Sequence, residues 1–195
     1  MNLLRKYWLR WNVRRHSSGD NSAIKRLYLV EDPWGLKNEQ EQTRFVETNR
    51  LIAREAQEKV NSLLEIGCGE GAQSVHLSIL ARQLTGIDPS PLAIERAKRK
   101  ELRNATFHVG DLVTFKPASP ERFDVVTACE MIYYHPDYEA SYSALSGLGQ
   151  LCIVTYFEGK ATRLDPFFRS KRTGMETIRC GGNAWRVVWW RPATG

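Results

Sequence analysis

No apolar run in this chain approaches the roughly 20 residues that a membrane-crossing helix needs, and Met1 to Leu9 lacks the apolar centre of a secretory leader. These absences lead us to expect a cytoplasmic protein. Cysteine is scarce: Cys68, Cys129, Cys152 and Cys180 stand far apart with no Cys-x-x-Cys pair, which argues against a zinc site or a disulfide framework. Reduced thiols at buried positions are expected instead. Internal repeats and low-complexity segments are lacking too. Most of the chain also lacks an excess of charge. The net charge of +6 resides in residues 1–30, where Arg5, Lys6, Arg10, Arg14, Arg15, Lys25 and Arg26 face Asp20 alone. A nucleic-acid partner is disfavoured, because such a protein would carry its basic surface on the fold itself.

The 195 residues suit one domain with a small extension. Residues 1–22 read as a basic arm and linker, the boundary being the polar run Ser17-Ser18-Gly19-Asp20-Asn21-Ser22, and residues 23–195 as the domain. Leu4, Trp8 and Trp11 fall at helical spacing. Such a helix would pack on the domain or fray, or would touch anionic lipid or an acidic partner.

The stretch Leu63-Leu64-Glu65-Ile66-Gly67-Cys68-Gly69-Glu70-Gly71 organises the rest. A short apolar run bounded by glycine reads as a buried strand, and Val75, Leu77, Ile79 and Leu80 supply apolar positions for a following helix. Strand, glycine loop and helix start together make a place where backbone comes close to a nucleotide-type ligand. The spacing Gly67-x-Gly69-x-Gly71 is one residue short of the dinucleotide fingerprint, with Ala72 at the place of its third glycine.

Later strand ends carry the matching chemistry. Gln83 to Ile87 predicts a strand ending at Asp88, with Ser90 and Pro91 opening a helix through Lys100. A carboxylate there accepts hydrogen bonds from both hydroxyls of a ribose. Ala105 to Val109 predicts a third strand ending in Gly110-Asp111-Leu112; Asp111 suits an adenine amino group, and Leu112 offers a backbone N–H and an apolar contact. Phe123 to Cys129 predicts a fourth strand, followed by Glu130-Met131-Ile132-Tyr133-Tyr134-His135-Pro136, where the reacting substrate is expected. His135 there is a loop residue before proline or a proton-transfer group, and Tyr133 and Tyr134 serve the site or packing. A helix near Tyr138 to Gly147, a strand from Gln150 to Phe157, a short helix within Leu164 to Lys171, and a hairpin of Met175–Cys180 with Trp185–Trp190 across Gly181-Gly182-Asn183 complete the pattern. Upstream, Glu31-Asp32-Pro33-Trp34-Gly35-Leu36 is a turn before a helix from about Asn38 to Lys59; Trp34 packs there or closes over a ligand.

As a set, Glu65 to Gly71, Asp88, Gly110-Asp111 and Glu130 resemble class I S-adenosylmethionine-dependent methyltransferases over roughly residues 60–157. The resemblance implies an α/β, doubly wound, Rossmann-like fold: a seven-stranded, mostly parallel sheet closed by a C-terminal antiparallel hairpin. It implies S-adenosyl-L-methionine as cofactor, held by Glu65, Gly67, Cys68, Gly69, Gly71, Asp88, Asp111 and Leu112. Within that class, Asp32-Pro33-Trp34, Glu39 to Arg44 and Glu130 to Tyr134 resemble the nodulation protein S type, which N-methylates the deacetylated amino sugar of chitooligosaccharide signals. That likeness implies that Trp34 and Arg44 help enclose cofactor or substrate, and that the partner is a small molecule or saccharide.

Direct displacement at an activated methyl needs proximity and orientation rather than a metal. An amine acceptor must react as the neutral form, so Glu130 or His135 is a candidate to take or hold its proton. An O-methyltransferase or a nucleic-acid methyltransferase fits the same motifs, whereas an NAD-dependent oxidoreductase shares the glycine loop but not its spacing.

Overall fold

A computed structural model describes residues 21–57, 59–117 and 122–193. The basic arm up to Asp20, with its helical pattern at Leu4, Trp8 and Trp11, lies outside the described residues. Helix α1 (Asn21–Leu27) takes in Asn21 and Ser22, which polar composition alone places in the linker. The turn carrying Trp34 leads into helix α2 (Glu39–Ala56), started by Asn38, whose side chain accepts from the Glu41 N–H at 2.9 Å. Phe45, Leu51 and Ile52 bury one face of α2.

Next come strand β1 (Val60–Ile66), helix α3 (Ser74–Leu77), strand β2 (Ala81–Asp88), helix α4 (Pro91–Lys98), strand β3 (Ala105–Val109) and strand β4 (Phe123–Cys129). Helix α5 (Tyr138–Leu148), strand β5 (Gly149–Phe157), helix α6 (Ala161–Phe168) and the hairpin of β6 (Gly174–Cys180) with β7 (Asn183–Trp190) follow. The sheet order is β3-β2-β1-β4-β5-β7-β6. The first five strands pair in parallel and β7 runs antiparallel to both neighbours. This is the expected seven-stranded sheet with its closing hairpin.

Both faces of the sheet are covered, so the central strands are apolar on alternate residues and on the residues between. Leu64, Val126, Val154 and Val188 pack with Leu145 of α5 and Leu164 and Phe168 of α6. Their neighbours Leu63, Val125, Ile153 and Val187 pack with Leu51 and Ile52 of α2. Ser90 caps α4 by accepting from the Ala93 N–H at 3.3 Å, with Pro91 in the first turn, as expected.

The helix after the glycine loop differs from expectation. It is one turn long; Leu77 is buried, but Ile79 is 81% exposed and Val75 38%. Asn104 explains the early stop: its side-chain amide donates to the carbonyls of Ser78 at 2.8 Å and Ala81 at 2.9 Å, taking acceptors that a longer helix would use or leave bare. The chain therefore turns directly into β2. In the finished sheet, β1 has β2 on one side and β4 on the other, so the winding direction reverses there and a crevice opens at the carboxyl ends of the strands.

Candidate active site

That crevice is a cavity of about 620 Å³, within the range of small-molecule sites. Its floor is the glycine loop, pinned to the end of β2 by the N–H groups of Gly67 and Cys68, which both donate to the Ile87 carbonyl at 2.8 and 3.0 Å. Gly69 has φ +54, and a Cβ there would lie 2.8 Å from the Tyr28 hydroxyl. The loop is bare on that side because a ring is laid across it. Gly71 lines no part of the cavity. A Cβ on it would come 3.2 Å from Cα of Ala97, so this glycine lets α4 approach the loop.

Three carboxyl groups stand along consecutive strand ends. Glu65, near the end of β1, is 3% exposed and accepts from the Ser74 hydroxyl of α3. Burial pushes its pKa up to about 8, against the opposing pull of Ser74 and Arg44. Glu65 could turn toward a ligand's ammonium or toward the loop's own amides. In the structure Ser74 holds it, and the loop amide of Gly69 donates to Asp88 Oδ2 at 3.1 Å. Asp88 also accepts the Ser90 N–H at 2.8 Å; burial lifts it to about 6 despite both N–H groups. Asp111, after β3, accepts the Val113 N–H at 3.0 Å and lines the cavity beside the buried Leu112.

The wall after β4 begins at Glu130, a non-glycine residue at φ +56. Its carboxylate accepts from the Tyr133 hydroxyl, the Thr155 hydroxyl and the Phe157 N–H, each at 3.1 Å. Burial raises its pKa, opposed first by Arg44. The rings of Tyr133 and Tyr134 lie 4.6 Å apart, and Tyr134 meets Trp34 at 5.9 Å. His135 is held below its ordinary pKa by burial, with Asp111 pulling the other way.

The roof comes from the N-terminal segment, and here the sequence was least informative. Tyr28 is buried against the glycine loop, and its hydroxyl accepts from the Trp34 indole N–H at 3.4 Å. Glu70, an unremarked position between two loop glycines, fastens this roof. One carboxylate oxygen accepts the Asp32 N–H at 2.9 Å and the other pairs with Arg96 at 2.5 Å, while Arg96 also reaches the Val30 carbonyl at 3.1 Å. On α2, Arg44 is 2% exposed, pairs through Nε with Glu41 at 2.8 Å and donates from Nη1 to Gln73 Oε1 at 3.0 Å. Burial works against its charge, but Glu130 and Glu41 outweigh burial and its pKa lies above the ordinary value.

Thirteen of the fourteen candidates, all but Gly71, therefore line one cavity. Tyr28 and Gln73 join them without any signal in the sequence strong enough to single them out, and Glu41 joins them from the stretch Glu39 to Arg44 that carries the family likeness. The arrangement is rich in acceptors: carboxyl groups from three strand ends suit a ligand with hydroxyl, amino and ammonium donors, and the close-set glycine loop leaves room for backbone to approach it.

The family model of nodulation protein S (NodS) matches residues 17–155. Nodulation protein S of Bradyrhizobium diazoefficiens is 30% identical over 132 residues, covering 66% of this chain and 61% of that protein. Its counterpart from Sinorhizobium fredii is 33% identical over 128 residues, covering 64% of this chain and 57% of that protein. The chain thus matches about three fifths of the length of these curated relatives. The crystal structure of the N-methyltransferase NodS from Bradyrhizobium japonicum WM9 in complex with S-adenosyl-L-homocysteine superposes with a TM-score of 0.71 at 23% identity, covering 90% of this chain and 100% of that one.

Proposed function

The chain belongs to the nodulation protein S (NodS) family, and from that membership we propose that it transfers a methyl group from S-adenosyl-L-methionine to an amine on a small molecule or saccharide, an amino sugar first among them. The observation that carries the reading is the row Glu65, Asp88 and Asp111 in one cavity. Asp88 holds the ribose hydroxyls, Asp111 with Leu112 the adenine edge, and Glu65 the ammonium of the amino-acid end, with Gly67 to Gly69 bringing backbone close. Trp34 and Arg44 enclose the other side.

When bound, S-adenosyl-L-methionine supplies a methyl group on a positively charged sulfur, which needs no further activation. The chain contributes placement. Its strand ends fix one reactant, its aromatic wall of Trp34, Tyr133 and Tyr134 confines the other, and the roof over Gly69 keeps water out, so that the two meet at an effective concentration far above that in solution.

Calorimetric titration with S-adenosylhomocysteine and, separately, with NAD tests the donor, and transfer of a labelled methyl group to amino sugars, small amines, carboxylates and RNA tests the acceptor. Binding of S-adenosylhomocysteine alone, with label on an amino sugar or small amine, is expected. Binding of NAD in its place, or label on RNA or carboxylates only, overturns the reading.

A further inference from the structure

Glu41 is the third residue of α2, three positions after the N-cap Asn38. A glutamate at that position commonly reaches back to the N-cap amide and completes a reciprocal cap. Here only half of that cap forms. The Asn38 side chain accepts the Glu41 N–H, but the Asn38 N–H donates to the Gly35 carbonyl at 3.3 Å, and the Glu41 carboxylate lines the cavity instead. Oε2 pairs with Arg44 there, and the side chain keeps 18% of its exposure, at the mouth.

The other carboxyl groups of the cavity are committed elsewhere. Glu130 accepts three hydrogen bonds that tie the turn after β4 to the end of β5. Glu65 is held by Ser74 and Asp88 by two backbone N–H groups. Asp111 lies after β3, the edge strand three places from β4 in the sheet order, and it is the charge that acts on His135. Glu41 stands instead on α2, within electrostatic reach of Glu130 and Arg44, and lines the same cavity as Trp34 and Tyr134. A carboxylate and aromatic faces lining one cavity suit a cationic ligand.

We propose that Glu41 is the catalytic residue for the acceptor amine, binding its ammonium form at the α2 edge of the cavity and removing one proton before methyl transfer. The assignment rests on the proposed methyltransferase function. In the proton step an N–H bond of the ammonium breaks, its electron pair stays on nitrogen, and an O–H bond forms on Glu41. The neutral nitrogen then holds the pair that forms the bond to the methyl carbon, while the carbon–sulfur pair leaves with sulfur. Glu41 returns its proton to solvent at the mouth. Arg44 is a positioning residue: its Nε holds Oε2 of Glu41 and makes no bond to Oε1.

The test compares the full-length protein with Glu41→Gln and Glu41→Asp, using a glucosamine tetramer as acceptor and S-adenosylhomocysteine as the binding probe. Gln can still accept from Arg44 Nε but carries no charge. We expect its S-adenosylhomocysteine affinity to stay within about threefold of wild type while kcat/KM falls by about 100-fold at neutral pH, the typical contribution of general-base catalysis. The deficit shrinks above the pKa of the acceptor amine, where solvent has already removed the proton, and Glu41→Asp recovers at least about a tenth of the wild-type rate. Parallel loss of S-adenosylhomocysteine affinity and rate would show that Glu41 acts only through Arg44, and an unchanged rate would show that it has no part; both overturn the assignment. If Glu41→Gln does not fold, a Glu41→Asp variant with full donor affinity and no turnover at any pH also overturns it. Wild-type protein that binds S-adenosylhomocysteine but methylates no amine removes the amine reading itself, and the assignment with it.

Discussion

Replacing Glu65 by glutamine should stabilise the ligand-free protein while weakening its site. Burial lifts the Glu65 carboxyl from 4.5 to about 8. Because the folded pKa is raised, the folded chain keeps a proton that the unfolded chain releases between those two values, and stability falls as pH rises across that window. At pH 7 the unfolded carboxyl lies about 2.5 units beyond its pKa while the folded one remains mostly protonated, which costs folding about 3 kcal/mol at 1.36 kcal/mol per unit. Glutamine has no proton to hold and can still accept from Ser74. The variant should therefore gain up to about 3 kcal/mol at pH 7, a rise in Tm on the order of 6–12 °C for a chain of this size, and almost nothing at pH 4. Melting curves at pH 4, 6, 7 and 8 measure this directly. Under the proposed function the same change removes the partner of the donor's ammonium, so S-adenosylhomocysteine should bind more weakly and raise the Tm of the variant less than that of wild type. The ionised form of Glu65 is the one that attracts an ammonium, so wild type at pH 7 should release close to one proton on binding, read from titrations in buffers of different ionisation enthalpy. Equal melting of the two proteins at pH 7 and 8 would refute the argument that burial sets this pKa, and equal affinity would refute the role given to Glu65.

The two loop glycines should fail in different ways. Gly69→Ala puts a Cβ 2.8 Å from the Tyr28 hydroxyl at φ +54, so it should cost about 1–2 kcal/mol in backbone strain and, by moving the roof, reduce S-adenosylhomocysteine affinity by about tenfold or more in calorimetry. Gly71→Ala meets the α4 backbone at Ala97 instead, and should lower Tm at least as much with a smaller effect on affinity in the protein that remains folded. Arg96→Ala removes the partner of Glu70 and the contact to the Val30 carbonyl, about 1.5–3 kcal/mol of charge-assisted bonding. Limited proteolysis should then cut between Val30 and Leu36 sooner than in wild type, with the sheet intact; an unchanged cleavage pattern counts against the roof being fastened there.

The sheet was legible because each parallel strand, covered on both faces, is a nearly continuous apolar run, and each run ends at an acidic or glycine residue that marks where the chain leaves the sheet. Asp88, Asp111 and the Glu130 turn could be placed at the crevice from that alone, and Gly181-Gly182-Asn183 marked the hairpin. The failures have local causes. The apolar residues Val75, Ile79 and Leu80 imitate a helix, but Asn104, distant in sequence, takes the carbonyls that decide its length. Tyr28 gave no sign of its place because its meeting with Gly69 spans the whole of α2 and β1. Glu41 sits in a pattern that reads as an ordinary helix cap, and only the position of its carboxylate separates it from one.

The two failures at the site, Tyr28 and Glu41, fall on the side of the cavity away from the strand ends, and the reason is physical. The strand-end carboxyl groups are set by the sheet, whose register is fixed by burial on both faces, so a one-residue slip would expose an entire apolar row. The roof and the α2 edge have no such constraint. They are held by single contacts, Glu70 to the Asp32 amide, Arg96 to the Val30 carbonyl and Arg44 to Gln73, each between residues distant in sequence. Substitution at Trp34, Glu41 or Tyr134 can therefore change what the cavity accepts without disturbing the strand ends. Under the proposed function, the donor is encoded in the periodic part of the chain and the acceptor in the part that only tertiary contacts define.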